Sequence, residues 1–213
     1  MKKYELTAEF IEKWGKKLFR IKALISFGSV EAGEFGGYVE KEDNLAQEGD
    51  AWVYGDARVY GDARVYGNAR VRDDAWVYGN ARVYDDAWVY GDARVYGNAE
   101  VYGDARVYGN ARVCDDAWVY GNAWVCGNAD YLLIGRIGSR FSFTTFFKNK
   151  DKGITVSCGC FLGTIAEFRA KVTDTHGNNK HAKMYNLAAD MAELQILGEE
   201  HFDKLNTNKS EPF

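Results

Sequence analysis

Between Gly49 and Leu132 polar and apolar positions recur in 14 six-residue phrases that follow one another without a gap. The third residue of each phrase is Ala, and the fifth is Val in all but the last, as in Ala57 and Val59 of GDARVY. Residues two apart share one face of a strand, so Ala and Val point together to one side and the intervening residue to the other. The leading pair, Gly-Asp, Gly-Asn or Asp-Asp, supplies corner chemistry tolerant of positive φ. Each phrase therefore predicts a short strand and a corner. One such unit cannot bury its apolar face alone and must stack on copies of itself.

The flanks follow other patterns. Residues 1–48 read as an N-terminal cap. There LTAEFIEKWGKKLF predicts a short helix beginning near Thr7 and Glu9 and ending at Gly15, and LFRIKALISF alternates as a strand. Val39 and Leu45 lead into the repeat of residues 49–132, and residues 133–213 read as a small α+β domain. In it, FSFTTFF and GITVSCGCF predict strands joined by KNKDK. Thr164 and Glu167 form a capping box for a helix that Gly177 stops. A second helix runs from about Asn179 to Leu197, with Met184, Leu187, Met191 and Leu194 at helical spacing. The tail LNTNKSEPF is expected to fray.

The ungapped GDARVY-type phrases resemble the hexapeptide-repeat superfamily, whose units wind into a left-handed parallel β-helix. The resemblance covers the 84 residues of the repeat. It implies a mainly β fold with three phrases per coil and between four and five coils. At the usual strand spacing the prism would stand about 22 Å tall. It also implies a homotrimer, the common assembly of that superfamily. The coils together with the GSR, TTFF and CGCF tail resemble small phage and prophage proteins, which implies an accessory, anti-defence role.

Composition narrows the function classes. A net charge of −4 speaks against a general nucleic-acid or anionic-membrane binder. No apolar run approaches the roughly 18 residues of a membrane span. Four cysteines without an export signal point to reduced thiols and a cytoplasmic location. The only proline, Pro212, lies at the end, as suits a chain built of paired strands.

With three phrases per coil, residues 18 apart stack, and one face reads Trp52, Arg70, Trp88, Arg106, Trp124. This column is either a stacking surface for a ligand or partner, or a ladder that stabilises the solenoid. Cys114 and Cys126, 12 apart, fall on different faces and are not expected to pair. Many hexapeptide proteins are acyltransferases with a histidine base at the coils. Here the histidines are His176, His181 and His201, all beyond the repeat, and only His176 offers a catalytic alternative. Cys158 and Cys160 fall on one face of a predicted strand; with His176 they make too few ligands for a metal. No metal or cofactor is expected. The stretch IGRIGSRFSFTTFF sets Arg136, Gly138, Ser139, Arg140, Thr144 and Thr145 where backbone amides, guanidinium groups and hydroxyls could meet an anion. The expected function is non-catalytic binding of a host protein or a small nucleotide-like anion, with acyl transfer or a purely structural role as alternatives.

Overall fold

A computed structural model describes residues 2–200. The chain divides into two compact units, one ending at Asn128 and the other beginning at Ala129. Phrases one to thirteen each form a two-residue rung, from Trp52–Val53 to Trp124–Val125. Every Ala and Val of these thirteen phrases is fully buried, as the alternation requires. Rungs three phrases apart pair in parallel register: Trp52 with Arg70, Arg58 with Trp76, Arg64 with Arg82. Three parallel sheets result, and the solenoid makes about five turns. The first corner residue is left-handed, at φ 69 for Gly67, and Asp73, Asp85 and Asp115 take the same conformation where they replace glycine.

The fourteenth phrase adds no rung. Its Tyr131, at the Val position, begins a strand of the second unit, so the expected end of the repeat at Leu132 moves back to Asn128. A phenol in place of valine does not fit an interior built from valine and alanine.

The N-terminal segment closes one end, but not with a helix. LTAEFIEKWGKKLF forms the hairpin of β1 (Tyr4–Lys13) and β2 (Lys16–Ala23), turned by Trp14 and Gly15 at φ 51 and 73. Two successive positive φ values make the tight turn that suits strand twist. β2 pairs with β3 (Phe35–Val39), which runs parallel to the Arg58–Val59 rung. A helix would have left that edge of β3 unpaired. Val39 pairs with Val59 and Leu45 bridges to Val65, so these two residues do lead into the coils. Exposed carbonyls at this end receive side-chain donors. The Lys3 amine donates to the Gly49 and Ala51 carbonyls at 3.2 and 3.0 Å, and the Tyr4 hydroxyl to those of Glu42 and Leu45 at 2.8 Å each. Burial pushes the Lys3 amine down to about 8.

The second unit is an antiparallel sheet of β4 (Tyr131–Ile137), β5 (Ser142–Lys148), β6 (Ile154–Cys158) and β7 (Phe161–Thr164), in that order. Helices α1 (Ile165–His176) and α2 (Lys180–Leu197) follow. Thr164 and Glu167 form the predicted capping box, Gly177 ends α1, and Asn179 caps α2. Phe146, Val156, Phe168, Val172 and Tyr185 make the core with Ala182, Ala188, Ala189, Ala192 and Ile196 of α2. The Arg169 guanidinium locks the helices together, donating to Asp190 at 2.7 Å and Glu193 at 2.8 Å. Met184, Leu187, Met191 and Leu194 share a face as their spacing predicts, but that face is exposed. The tail from Leu205 to Phe213, and His201 with it, lies outside the described residues.

Candidate functional site

The columns of the solenoid assemble as their spacing predicts. Arg70 and Arg106 lie over the Trp88 ring at 4.9 and 5.4 Å, and Arg106 also over Trp124 at 5.3 Å. Trp52 departs from the expected outward surface. It is fully buried beneath Tyr4 and Phe27, with ring centroids 6.0 and 5.4 Å away. Asp130, in the fourteenth phrase, lies in a short turn outside the coil. Tyrosines form ladders of their own: Tyr66, Tyr84, Tyr102 and Tyr120 stack at 4.8, 4.7 and 4.6 Å, within 6° of parallel. These rings spend their faces on one another. The ladder reading thus accounts for these contacts.

Few acids of the repeat pair with arginine among the described contacts. Arg58 and Asp74 stand 4.0 Å apart and Arg82 and Glu100 3.4 Å, while Asn68 donates to Asp86 at 3.1 Å and Asn98 to Asp116 at 3.0 Å. These amide-to-carboxylate bonds satisfy Asp86 and Asp116. Cys114 and Cys126 form no disulfide. A groove of about 630 Å³ at the capped end, lined by Glu42, Asp43, Arg64 and Arg82 among others, carries charges of both signs. Two of these are already held, Glu42 by Lys2 and Arg82 by Glu100.

The second unit has a cavity of about 270 Å³ between the strand turns and the helices. Its apolar floor is Phe161, Phe168, Val172 and Tyr185, and its rim carries Ser139, Arg140, Lys171 and His176. Ser139 and Arg140 come from the turn between β4 and β5, Cys158 from the end of β6, and Gly159 and Cys160 from the turn after it. The Arg140 guanidinium lies over Gly159, whose φ is 61. Among the described residues Arg140 makes no ion pair, whereas Lys171 is held by Asp174 at 3.1 Å. The His176 ring stacks on Tyr185 with centroids 5.8 Å apart. Burial, with the neighbouring Cys158 thiol, pushes the Tyr185 hydroxyl up to about 12, so it keeps its proton at neutral pH.

Of the six anion-binding candidates, the structure brings Ser139 and Arg140 into the cavity. Gly138 stands behind them at φ 75, where any Cβ would collide with the Tyr185 ring and hydroxyl. Arg136 points elsewhere, its guanidinium 5.9 Å above Phe143. Thr144 and Thr145, being consecutive in β5, face opposite sides of the sheet and cannot serve one ligand. Thr144 is buried and donates to the Cys158 sulfur at 3.2 Å. The two cysteines do not alternate along one strand. Cys158 ends β6 and is half-buried, whereas Cys160 follows the left-handed Gly159 and is exposed. Among the described residues no three His, Cys, Asp or Glu side chains converge as metal ligands. Phe161, Phe168 and Tyr185 were not foreseen as site residues, since aromatics at these spacings signal a core equally well.

A family model described as the YdcK beta solenoid repeat matches residues 51–65, 63–78, 75–91, 87–103, 93–109, 99–114, 105–121 and 111–127. These overlapping windows run along the stacked phrases, so the match and the paired register agree on a β-solenoid for this segment. No curated protein matches the chain significantly. No helix among the described residues is long and apolar enough to cross a membrane.

Proposed function

We propose that this chain is a non-catalytic binding protein whose second unit takes a small organic anion with a flat or apolar body. One observation carries the reading: an arginine without an ion-pair partner among the described residues, at the wall of an aromatic-floored cavity. Burying a flat body on Phe161, Phe168 and Tyr185 would contribute most of the affinity, and Arg140 would orient a carboxylate or phosphate through its forked donors. Ser139 adds a hydroxyl on the same turn. The protonated Tyr185 acts as a donor and not as a base.

Size narrows the ligand class. At about 270 Å³ the cavity sits just under the roughly 300 Å³ where small-molecule pockets usually begin. A single nucleotide or a smaller planar acid suits it; a cyclic dinucleotide overfills it. We read the trunk as a coil of the left-handed hexapeptide type that holds the rungs rigid. The likeness to small phage and prophage proteins favours an accessory role in which such an anion is sequestered.

The test is thermal unfolding of the full chain with a panel of nucleoside monophosphates, aromatic carboxylates and cyclic dinucleotides. The reading expects a stabilising shift with a monophosphate or aromatic acid that Arg140→Ala removes. No shift with any compound, or one that Arg140→Ala leaves intact, overturns it. Incubation with acetyl-CoA and mixed acceptors should release no free thiol.

A further inference from the structure

Helix α2 carries two apolar seams, and only one of them is used. Ala182, Tyr185, Ala188, Ala189, Ala192 and Ile196 pack into the core of the second unit. On the other side Met184, Leu187, Met191 and Leu194 remain 40, 63, 57 and 45 % exposed. A helix that is apolar on two sides normally lies inside a bundle, and isolated exposed hydrophobics do not recur in such register. The steps between the four residues are three, four and three. That is the a/d spacing of a helix seam built to meet another helix.

The seam identifies its own partner. Laid against a second copy in antiparallel order, with the two-fold axis between Leu187 and Met191, Met184 meets Leu194 and Leu187 meets Met191. All four layers then pair one flexible Met with one branched Leu, and none pairs like with like. A parallel arrangement would set Met on Met and Leu on Leu at every layer.

Charge gives the same orientation independently. Lys180 and Lys183 occupy the first turn of α2, and no acidic residue does. The chain leaves the helix through Gly198 into the exposed Glu199 and Glu200. Both ends are thus charged against the dipole of their own helix, an arrangement that costs stability in isolation. An antiparallel neighbour reverses this, because its acidic end and last carbonyls lie beside these lysines.

We infer that the exposed face of α2 is a homodimerisation surface, joining two copies of this chain through an antiparallel, two-fold α2–α2 contact. The surface is isologous, so each copy offers and receives the same residues. Four side chains per copy cover less than the roughly 1,200 Å² below which complexes are usually weak and transient. A concentration-dependent dimer is therefore expected, not a permanent one. The ligand cavity opens on the other side of α2 through Tyr185, so this contact stands apart from the binding proposal.

The experiment is sedimentation velocity on the full chain from low micromolar to several hundred micromolar. The inference expects a monomer–dimer equilibrium that Leu187→Glu weakens at least tenfold, with circular dichroism and the melting transition unchanged. Because Leu187 is exposed, this variant should fold. Lys180→Glu with Lys183→Glu should also weaken the dimer, and adding Glu199→Lys with Glu200→Lys should restore it. That rescue requires the antiparallel order. A trimer, or a dimer indifferent to Leu187→Glu, would place self-association elsewhere and overturn the inference. A monomer throughout the range would overturn it too, and a melting point lowered by Leu187→Glu would then assign the seam to a contact within the chain.

Discussion

Tyr84 sits third from the end of a ladder whose rings are spaced like a stack of plates, and removing it tests whether that ladder holds the solenoid. Its ring lies between Tyr66 at 4.8 Å and Tyr102 at 4.7 Å, and its hydroxyl donates to Glu100 at 3.0 Å. Burial and that carboxylate hold the phenol well above its usual range. Tyr84→Phe keeps both ring contacts and loses the hydrogen bond, a cost of about 1 kcal/mol after allowing for partial exposure. Tyr84→Ala loses the bond and two ring contacts at about 0.5–1.5 kcal/mol each, so about 2–4 kcal/mol beyond lost area. Tyr66→Ala removes the ring contact with Tyr84 and should cost only about 0.5–1.5 kcal/mol beyond lost area. Urea unfolding of the solenoid transition, followed by far-ultraviolet circular dichroism, gives the three values. Nearest-neighbour terms dominate in solenoids, so the ranking Tyr84→Ala above Tyr66→Ala is the sharper test. If Tyr84→Ala costs no more than Tyr84→Phe, the stacked rings contribute nothing and the ladder reading fails.

Other perturbations probe other parts of the molecule. Burial raises the Tyr60 and Tyr102 hydroxyls to about 12 from 10.0. A raised folded value gives stability that is complete below about 10 and lost as pH climbs through about 12, so alkaline unfolding should coincide with phenolate absorbance. Lys3 acts oppositely: with its folded value lowered to about 8, its contribution to stability should rise between about 8 and 10.5, and Lys3→Met should flatten that limb. Gly138→Ala should unfold or loosen the second unit, since the methyl group collides with Tyr185 at a positive φ; an unchanged melting point would refute that packing. Thr164→Ala removes the cap that accepts from the Glu167 amide at 3.3 Å and should cost about 1 kcal/mol by urea titration of the second unit.

Local chemistry made much of this fold legible. A period of six with Ala and Val two apart marks the buried face, whereas the three phrases per turn came with the resemblance to hexapeptide repeats, and the paired rungs bear out the 18-residue register. The caps at Thr164 and Gly177 were equally readable, since each satisfies its own helix end. Where the outcome depended on distant partners the sequence was ambiguous. LTAEFIEKWGKKLF carries helical spacing, yet the β3 edge needed a strand beside it. The Met and Leu positions of α2 were correctly grouped on one face, but the alanine face went inward, because small side chains let the helix approach its sheet closely. At the site, a Gly-Ser-Arg turn announced Ser139 and Arg140. Strand parity alone could have separated Thr144 from Thr145, whereas Tyr185 and the aromatic floor became site residues only through tertiary packing.

Four thiols provide an internal map for the binding site. Cys158 and Cys160 line the cavity of the second unit, while Cys114 and Cys126 belong to the solenoid. Alkylation of each thiol by iodoacetamide, followed by mass spectrometry with and without the nucleoside monophosphate or aromatic acid that stabilises the protein, locates the ligand directly. Slower modification of Cys158 and Cys160, with Cys126 unaffected and the protection lost in Arg140→Ala, is the expected result. Protection of the solenoid thiols, or none at Cys158 and Cys160, would contradict the assignment of function to the second unit.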